Sequence, residues 1–245
     1  DLIVPQQGIE LRCADRLPAD ALTEMGADAE KLYGILPDWV PAYYSDKGLP
    51  PVTGGMAVQY KTAEEAPWRT FFQLKGVFRH RPKWLIYRPH EIVSHEMCHV
   101  ARAPLGSTRY EETLAYQTSS SPLRRYLGGA LVNSHDSALI LISLLWMLVT
   151  DALGLIFLWP FTGWIGRLPI FTLVGLGLLR NHRLRKELQK AENLLKNHFP
   201  TSAREVLFRL KDEEVRECSE MDEEMFVPWW EHREGFRGEW LRSLY

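Results

Sequence analysis

Cysteine is scarce in this chain of 245 residues: Cys13, Cys98 and Cys218 are the only three. An odd, sparse set of this kind makes no disulfide framework and fits a reducing compartment. An excess of one charge is also missing, with 29 basic against 31 acidic side chains and a formal net charge of −2. Such a balance provides no general attraction to nucleic acid, which is therefore not expected as a partner. There are no repeats and no low-complexity tracts. No basic-then-apolar leader opens the chain, so a signal peptide is not expected. The start at Asp1 in place of Met leads us to expect a stretch upstream.

What is present is a globular balance, 46% hydrophobic and 24% charged, at a length that can bury a useful core. The chain divides into three parts: residues 1–126, 127–180 and 181–245. In the first, Pro18-Ala19-Asp20 can open a helix through Leu22, Met25 and Leu32, with Asp20 as its N-cap. The proline- and glycine-rich stretch 48–55 reads as a loop. Met56–Tyr60, Arg69–Leu74 and Trp84–Tyr87 read as strands, the last ended by Pro89. A helix is predicted from His90 to Ala103, stopped by Pro104 and Gly106. The next helix is predicted near Ser107 or Thr108, where Thr108 and Glu111 have capping-box spacing.

The predicted helix at 90–103 carries His95-Glu96-Met97-Cys98-His99. Residues four apart share a helix face, so His95 and His99 can direct two imidazoles at one metal ion. Zinc takes neutral imidazole readily and keeps a position open when three protein ligands bind. Glu96 projects about 100° around the helix from His95, beside the metal, where it can serve as general base toward a metal-activated water. Ile92, Val93, Met97 and Val100 surround the motif, which marks the helix as buried. Buried histidines and a carboxylate need partners, and a metal supplies them.

These five positions resemble the HExxH pattern of the zincin metallopeptidases. Tyr110–Tyr116 is similar to the E-x-x-A pattern of several gluzincin families, with Glu112 and Ala115 at the matching places. The resemblance spans roughly residues 86–119. It implies an α+β, mainly α fold: a zincin-like catalytic domain with a small antiparallel sheet, followed here by an apolar helical hairpin and C-terminal helices. It also implies Zn²⁺ held by His95, His99 and Glu112, Glu96 as the catalytic base, and a peptide or protein substrate paired with an edge strand, for which Arg69–Leu74 is the candidate. Glu111 is the alternative third ligand. Tyr116 and Tyr110 are candidate transition-state stabilisers. Many relatives brace a ligand histidine with Asp or Asn where this chain has Tyr116.

Lesser residues have plainer readings. Glu91 could hydrogen-bond His95 or face solvent, Cys98 reads as a small core residue, and His135 and Asp136 could mark an interface.

Ala138–Trp159 is a run of 22 residues with one charge, Asp151, long enough to cross a bilayer. Residues 160–169 read as a turn, and Ile170–Leu179 as a shorter apolar stretch. Arg124 and Arg125 precede the run; Arg180, Arg183, Arg185 and Lys186 follow it. Basic residues at both flanks suit a hairpin, spanning or re-entrant, with both ends in the cytoplasm. A hairpin buried in a soluble fold is the other reading, since Asp151 and Arg167 are costly in hydrocarbon. Lipid contact through 138–179 and a cytoplasmic catalytic domain are thus expected. In the third part, Leu184, Leu188, Leu194 and Leu195 form one helical stripe; Val206, Leu207, Leu210 and Val215 form another, after Pro200 and a Ser202/Glu205 capping-box pattern. Trp229, Trp230, Phe236 and Trp240 could dock on the first part or sit at a membrane surface, docking being the plainer expectation. The functional expectation is a membrane-associated zinc endopeptidase; the alternative is an inactive zincin-like binding or scaffold protein anchored at a membrane.

Overall fold

The computed structural model describes every residue except 1, 5–8, 37, 62–64, 66–68, 107, 131–133, 159–161, 233–240 and 242–245. The chain is mainly helical with a small sheet, as the α+β reading requires. Strands β1 (Leu2–Val4) and β2 (Ile9–Leu11) form a short antiparallel pair. Helices α1 (Ala19–Met25) and α2 (Ala27–Tyr33) follow, separated at Gly26. The single helix expected there is thus two, and Pro18, not Asp20, stands at the N-cap.

The main sheet has the order β3 (Ala42–Tyr44), β5 (Arg69–Leu74), β4 (Gly55–Tyr60). It is mixed and not purely antiparallel: β4 pairs antiparallel with β5, while β3 runs parallel to it. This order overturns the expectation that Arg69–Leu74 is the edge. Phe71 and Phe72 point to opposite faces of β5 and both are fully buried. Phe72 enters the main core, whereas Phe71 joins a second cluster with Ile9, Leu11, Tyr43, Val58 and Tyr60. A strand buried on both faces and paired on both sides is central, so β4 is left as an edge.

The expected strand at Trp84–Tyr87 is instead a tight turn. Trp84 and Tyr87 exchange both backbone hydrogen bonds, and Leu85 takes a left-handed φ of 52°. A two-residue turn of this kind needs positive φ, which a leucine adopts at some cost.

Helix α3 (Pro89–Arg102) is the centre of the molecule. Proline at its first turn loses no helical hydrogen bond. Val93, Met97, Cys98 and Val100 bury one face in the main core, leaving His95, Glu96 and His99 on a partly exposed face. Next comes α4 (Glu111–Ala115), then α5 (Pro122–Leu127). The capping box expected at Thr108 does not form: the Thr108 N–H donates to Asp212 Oδ2 at 2.8 Å, and α4 starts only at Glu111. Ser107 lies outside the described residues.

Helices α6 (Ser134–Phe157) and α7 (Thr162–His198) form an apolar hairpin, and α7 runs unbroken from it into the rest of the protein. Residues 162–169, expected as a turn, are helical; Pro169 lies inside α7 and removes only one intrahelical donor. Arg180 clasps the foot of the hairpin through Asp136 Oδ2 at 2.7 Å and the Ala130 carbonyl at 2.8 Å. Near its tip, Arg167 faces Asp151 at 3.4 Å. Ser143 and Thr150 donate their hydroxyls back to carbonyls of their own helix, at Leu139 and at Trp146 and Met147. Of the described helices, α6 alone is long and apolar enough, at Ala138–Phe157, to cross a membrane.

Helices α8 (Ala203–Arg209), α9 (Asp212–Glu220) and α10 (Glu223–Glu231) complete the fold. Ser202 makes no side-chain cap; Lys211 N–H donating to Glu214 Oε2 at 2.6 Å opens α9. Both predicted leucine and valine stripes are buried, and Trp229 and Trp230 pack on the same core as α3. Phe236 and Trp240 lie outside the described residues.

One buried cation ties these parts together. Arg102, at the end of α3 and 0% exposed, donates to the Phe208 and Leu210 carbonyls and faces Asp212 at 3.5 Å. Asp212 also accepts from the N–H groups of Thr108 and Arg109, which lead into α4. Removing one partner of a buried ion pair leaves the other uncompensated. Asp212→Ala is therefore expected to destabilise the fold by about 3–5 kcal/mol, read from the urea midpoint at unchanged slope. A loss under 1 kcal/mol would mean that the carbonyls alone satisfy Arg102.

Candidate metal centre

His95 and His99 come from successive turns of α3, and Glu112 comes from α4, which packs beside it. The Nε2 atoms of the two imidazoles approach to 3.2 Å. Glu112 places Oε1 3.4 Å from His99 Nε2 and Oε2 3.7 Å from His95 Nε2. Ligand atoms 2.0–2.1 Å from a tetrahedral zinc are separated from one another by about 3.3–3.4 Å. The three observed separations bracket that edge length. A distance of 3.2 Å also suits a lone N–H···N hydrogen bond, and a carboxylate beside both imidazoles suits an ion pair as well as a shared cation. Among the described residues, these three form the one group of histidine, cysteine or acidic side chains close enough to hold a metal ion.

Electrostatics favour a ligand role for His95. Burial, then the neighbouring His99, pull the His95 pKa down to about 3, so the ring is neutral at ordinary pH. For His99, burial also favours the neutral ring, but the carboxylates of Glu111, Glu112 and Glu96 outweigh it and the net shift is upward. Burial raises Glu112, reinforced by Glu96 and Glu111 and opposed by His99. Several acids crowd a partly buried site with little cationic compensation, which a divalent cation would relieve.

Glu111 and Glu112 face different nitrogens of His99. Glu112 lies on the Nε2 side, whereas Glu111 Oε2 lies 3.6 Å from Nδ1. That distance is long for a hydrogen bond, but it places a negative charge where it holds the ring's Nε2 toward His95. His95 is fixed differently. It hydrogen-bonds the Ala115 backbone, and its ring meets the Tyr116 ring edge-on at 4.6 Å. A backbone carbonyl and an aromatic wall thus occupy the place of the bracing Asp or Asn.

Tyr116 is in turn seated on Gly128, where a Cβ would overlap its ring. Gly128→Ala should displace Tyr116 and loosen His95. We expect zinc affinity to fall by about tenfold, as for loss of an outer partner, with the helical circular dichroism unchanged. Unaltered affinity in a chelator competition would show that Tyr116 does not hold His95.

Glu96 lies beside the cluster. Its Oε2 accepts from the Ala57 N–H of β4 at 3.0 Å. Burial raises its pKa, with His99 and the Ala57 bond opposing. Gly55 makes this approach possible: a Cβ there would come within 2.7 Å of the Gln73 carbonyl oxygen and 3.0 Å of Ile92. Two clefts meet at His95 and Glu96. One, of about 200 Å³, is lined by Gly54, Gly55, Tyr87 and Tyr116; the other, of about 480 Å³, by Ala57, Gln59, His99, Glu111 and Glu112.

Two expectations change. Tyr110 is not at the cluster: it is fully buried and its hydroxyl donates to Glu187 Oε2 at 2.6 Å, on α7. Glu91 neither bonds His95 nor faces solvent; it is buried against Arg124 at 2.8 Å and accepts from the Ser120 N–H. Asp136 serves the hairpin foot. Cys98 is a buried core thiol, as expected, directed at the Ser94 carbonyl, and burial raises its pKa. Ala57, Ala115 and Asp212 contribute to the site without any local sequence signal, two through backbone groups and one from more than 100 residues away. Compared with family models, curated proteins and solved structures, the chain matches none.

Proposed function

We propose that the chain is a membrane-associated, zinc-dependent endopeptidase of gluzincin type. The observation that carries this reading is the convergence of His95, His99 and Glu112 on one point, with Glu96 held beside them by the edge strand. His95, His99 and Glu112 would hold the ion. Zinc bound there supplies Lewis acidity, which polarises a carbonyl and makes water a stronger acid. Glu96 takes the proton of the attacking water and passes it to the leaving amine. The substrate backbone lies along β4, whose second edge has no strand partner among the described residues. Tyr116 lines the 200 Å³ cleft, from which it would flank the reacting carbonyl.

The hairpin supports membrane association. α6 has 24 residues, a length of about 36 Å at 1.5 Å per residue, enough for a hydrocarbon core of about 30 Å. Leu141, Ile142, Leu145, Leu148, Leu155 and Ile156 are exposed along it. Basic residues flank both feet of the hairpin, which by the positive-inside rule suits a cytoplasmic side for them.

The test is metal analysis and peptide-library hydrolysis on untagged full-length protein. We expect about one zinc per chain, hydrolysis abolished by chelation, and recovery on adding zinc. Absence of metal would defeat the site; metal without hydrolysis would favour a binding or scaffold role. Purification in good yield without detergent would count against the bilayer.

A further inference from the structure

A second cavity, of about 330 Å³, lies behind α4, away from the metal cluster, between α4, α7 and α8. Its wall carries four basic side chains, Arg125, Arg185, Lys196 and Arg204, against one carboxylate, Glu192. Glu192 is already shared: Lys196 Nζ lies 2.7 Å from its Oε1 and Arg204 Nε 2.9 Å. Arg125 and Arg185 line the cavity with no carboxylate partner among the described residues. Arg185 is the more telling. Its Nε and Nη2 are buried without a hydrogen-bond acceptor among the described residues, and its Cζ lies 5.0 Å from the centroid of the Tyr126 ring. Buried polar groups in folded proteins are almost always hydrogen-bonded. A guanidinium offers five donors in a planar fork that suits a phosphate oxygen pair.

We propose that this cavity binds a phosphate group, as a monoester or diester, with Arg185 and Arg125 as its principal ligands. The volume exceeds what a bare oxyanion needs and accommodates the organic part of an ester. Its position suits a lipid headgroup. Arg185 lies six residues past Leu179, the end of the apolar stretch, or about 9 Å along α7. That is the depth of headgroup phosphates, and basic pockets at the cytoplasmic feet of membrane helices hold such groups. A soluble phosphate ester would satisfy the same donors. The inference does not depend on zinc or on hydrolysis; only its lipid source rests on the membrane reading.

The test uses detergent-solubilised full-length protein at ionic strength held constant with chloride. Calorimetric titrations are run with inorganic phosphate, with glycerol phosphate, and with micelles doped with phosphatidylglycerol. We expect saturable binding of at least one probe, weakened about tenfold in Arg185→Gln, the loss expected for charge-assisted hydrogen bonds. Phosphatidylglycerol binding more tightly than glycerol phosphate assigns a lipid; equal binding assigns a soluble ester. If no probe binds saturably, or Arg185→Gln binds undiminished, the proposal is wrong. Should that variant not fold, Arg125→Gln, at an exposed position, is judged by the same rule.

Discussion

Glu96→Gln should lower peptide hydrolysis by about 10²–10⁴-fold, the contribution typical of a positioned general base, while the protein still purifies with zinc. Glu96 is not one of the three converging side chains, so its charge is not required to hold the ion. Its Oε2 instead accepts from the Ala57 N–H, and a glutamine carbonyl can accept from the same donor at the same place. The substitution thus retains the link between α3 and β4 and removes only the capacity to take a proton. Substrate affinity should change little, because the edge of β4 is undisturbed, so the loss should fall on kcat. Full activity would remove Glu96 from the mechanism. Loss of zinc together with activity would instead show that its charge belongs to the metal site.

The contrast between Glu96 and its neighbours shows what the sequence could and could not reveal. Two histidines four apart on a helix must share a face, so His95 and His99 were legible at once. The strands Met56–Tyr60 and Arg69–Leu74 were legible from their residue types. Their places in the sheet were not, because pairing depends on segments far apart in the chain: Phe71 is buried by Ile9, Leu11 and Tyr43. The same limit explains Tyr110, drawn to Glu187, and Glu91, drawn to Arg124, over separations of 77 and 33 residues. Arg102 and Asp212, which hold α3 to the approach of α4, looked like ordinary charged residues until the fold buried them. Helical stripes in α7 were easier, since amphipathic periodicity is local.

Glu112→Ala should abolish zinc retention, and Glu111→Ala should weaken it by only about 10–100-fold, the usual cost of losing an outer partner. The sequence left these adjacent acids as alternatives, with the E-x-x-A match favouring Glu112 and capping-box spacing giving Glu111 an ordinary structural role. Rotation of α4 separates them. Glu112 directs its two oxygens at the Nε2 atoms of both histidines, at 3.4 and 3.7 Å, whereas Glu111 meets only the Nδ1 side of His99. One ring cannot offer the same nitrogen to a metal and to a bracing carboxylate, so the geometry divides the roles. Without Glu112, two imidazoles remain, short of the three protein ligands that a zinc site with one open position requires. Without Glu111, all three ligands remain, but His99 loses the charge that keeps Nε2 turned toward His95. Chelator competition on the two purified variants measures both effects on one scale. If Glu111→Ala is the variant that loses its zinc and Glu112→Ala keeps it, the third ligand is Glu111, and the convergence of Glu112 on the histidine pair is electrostatic packing alone.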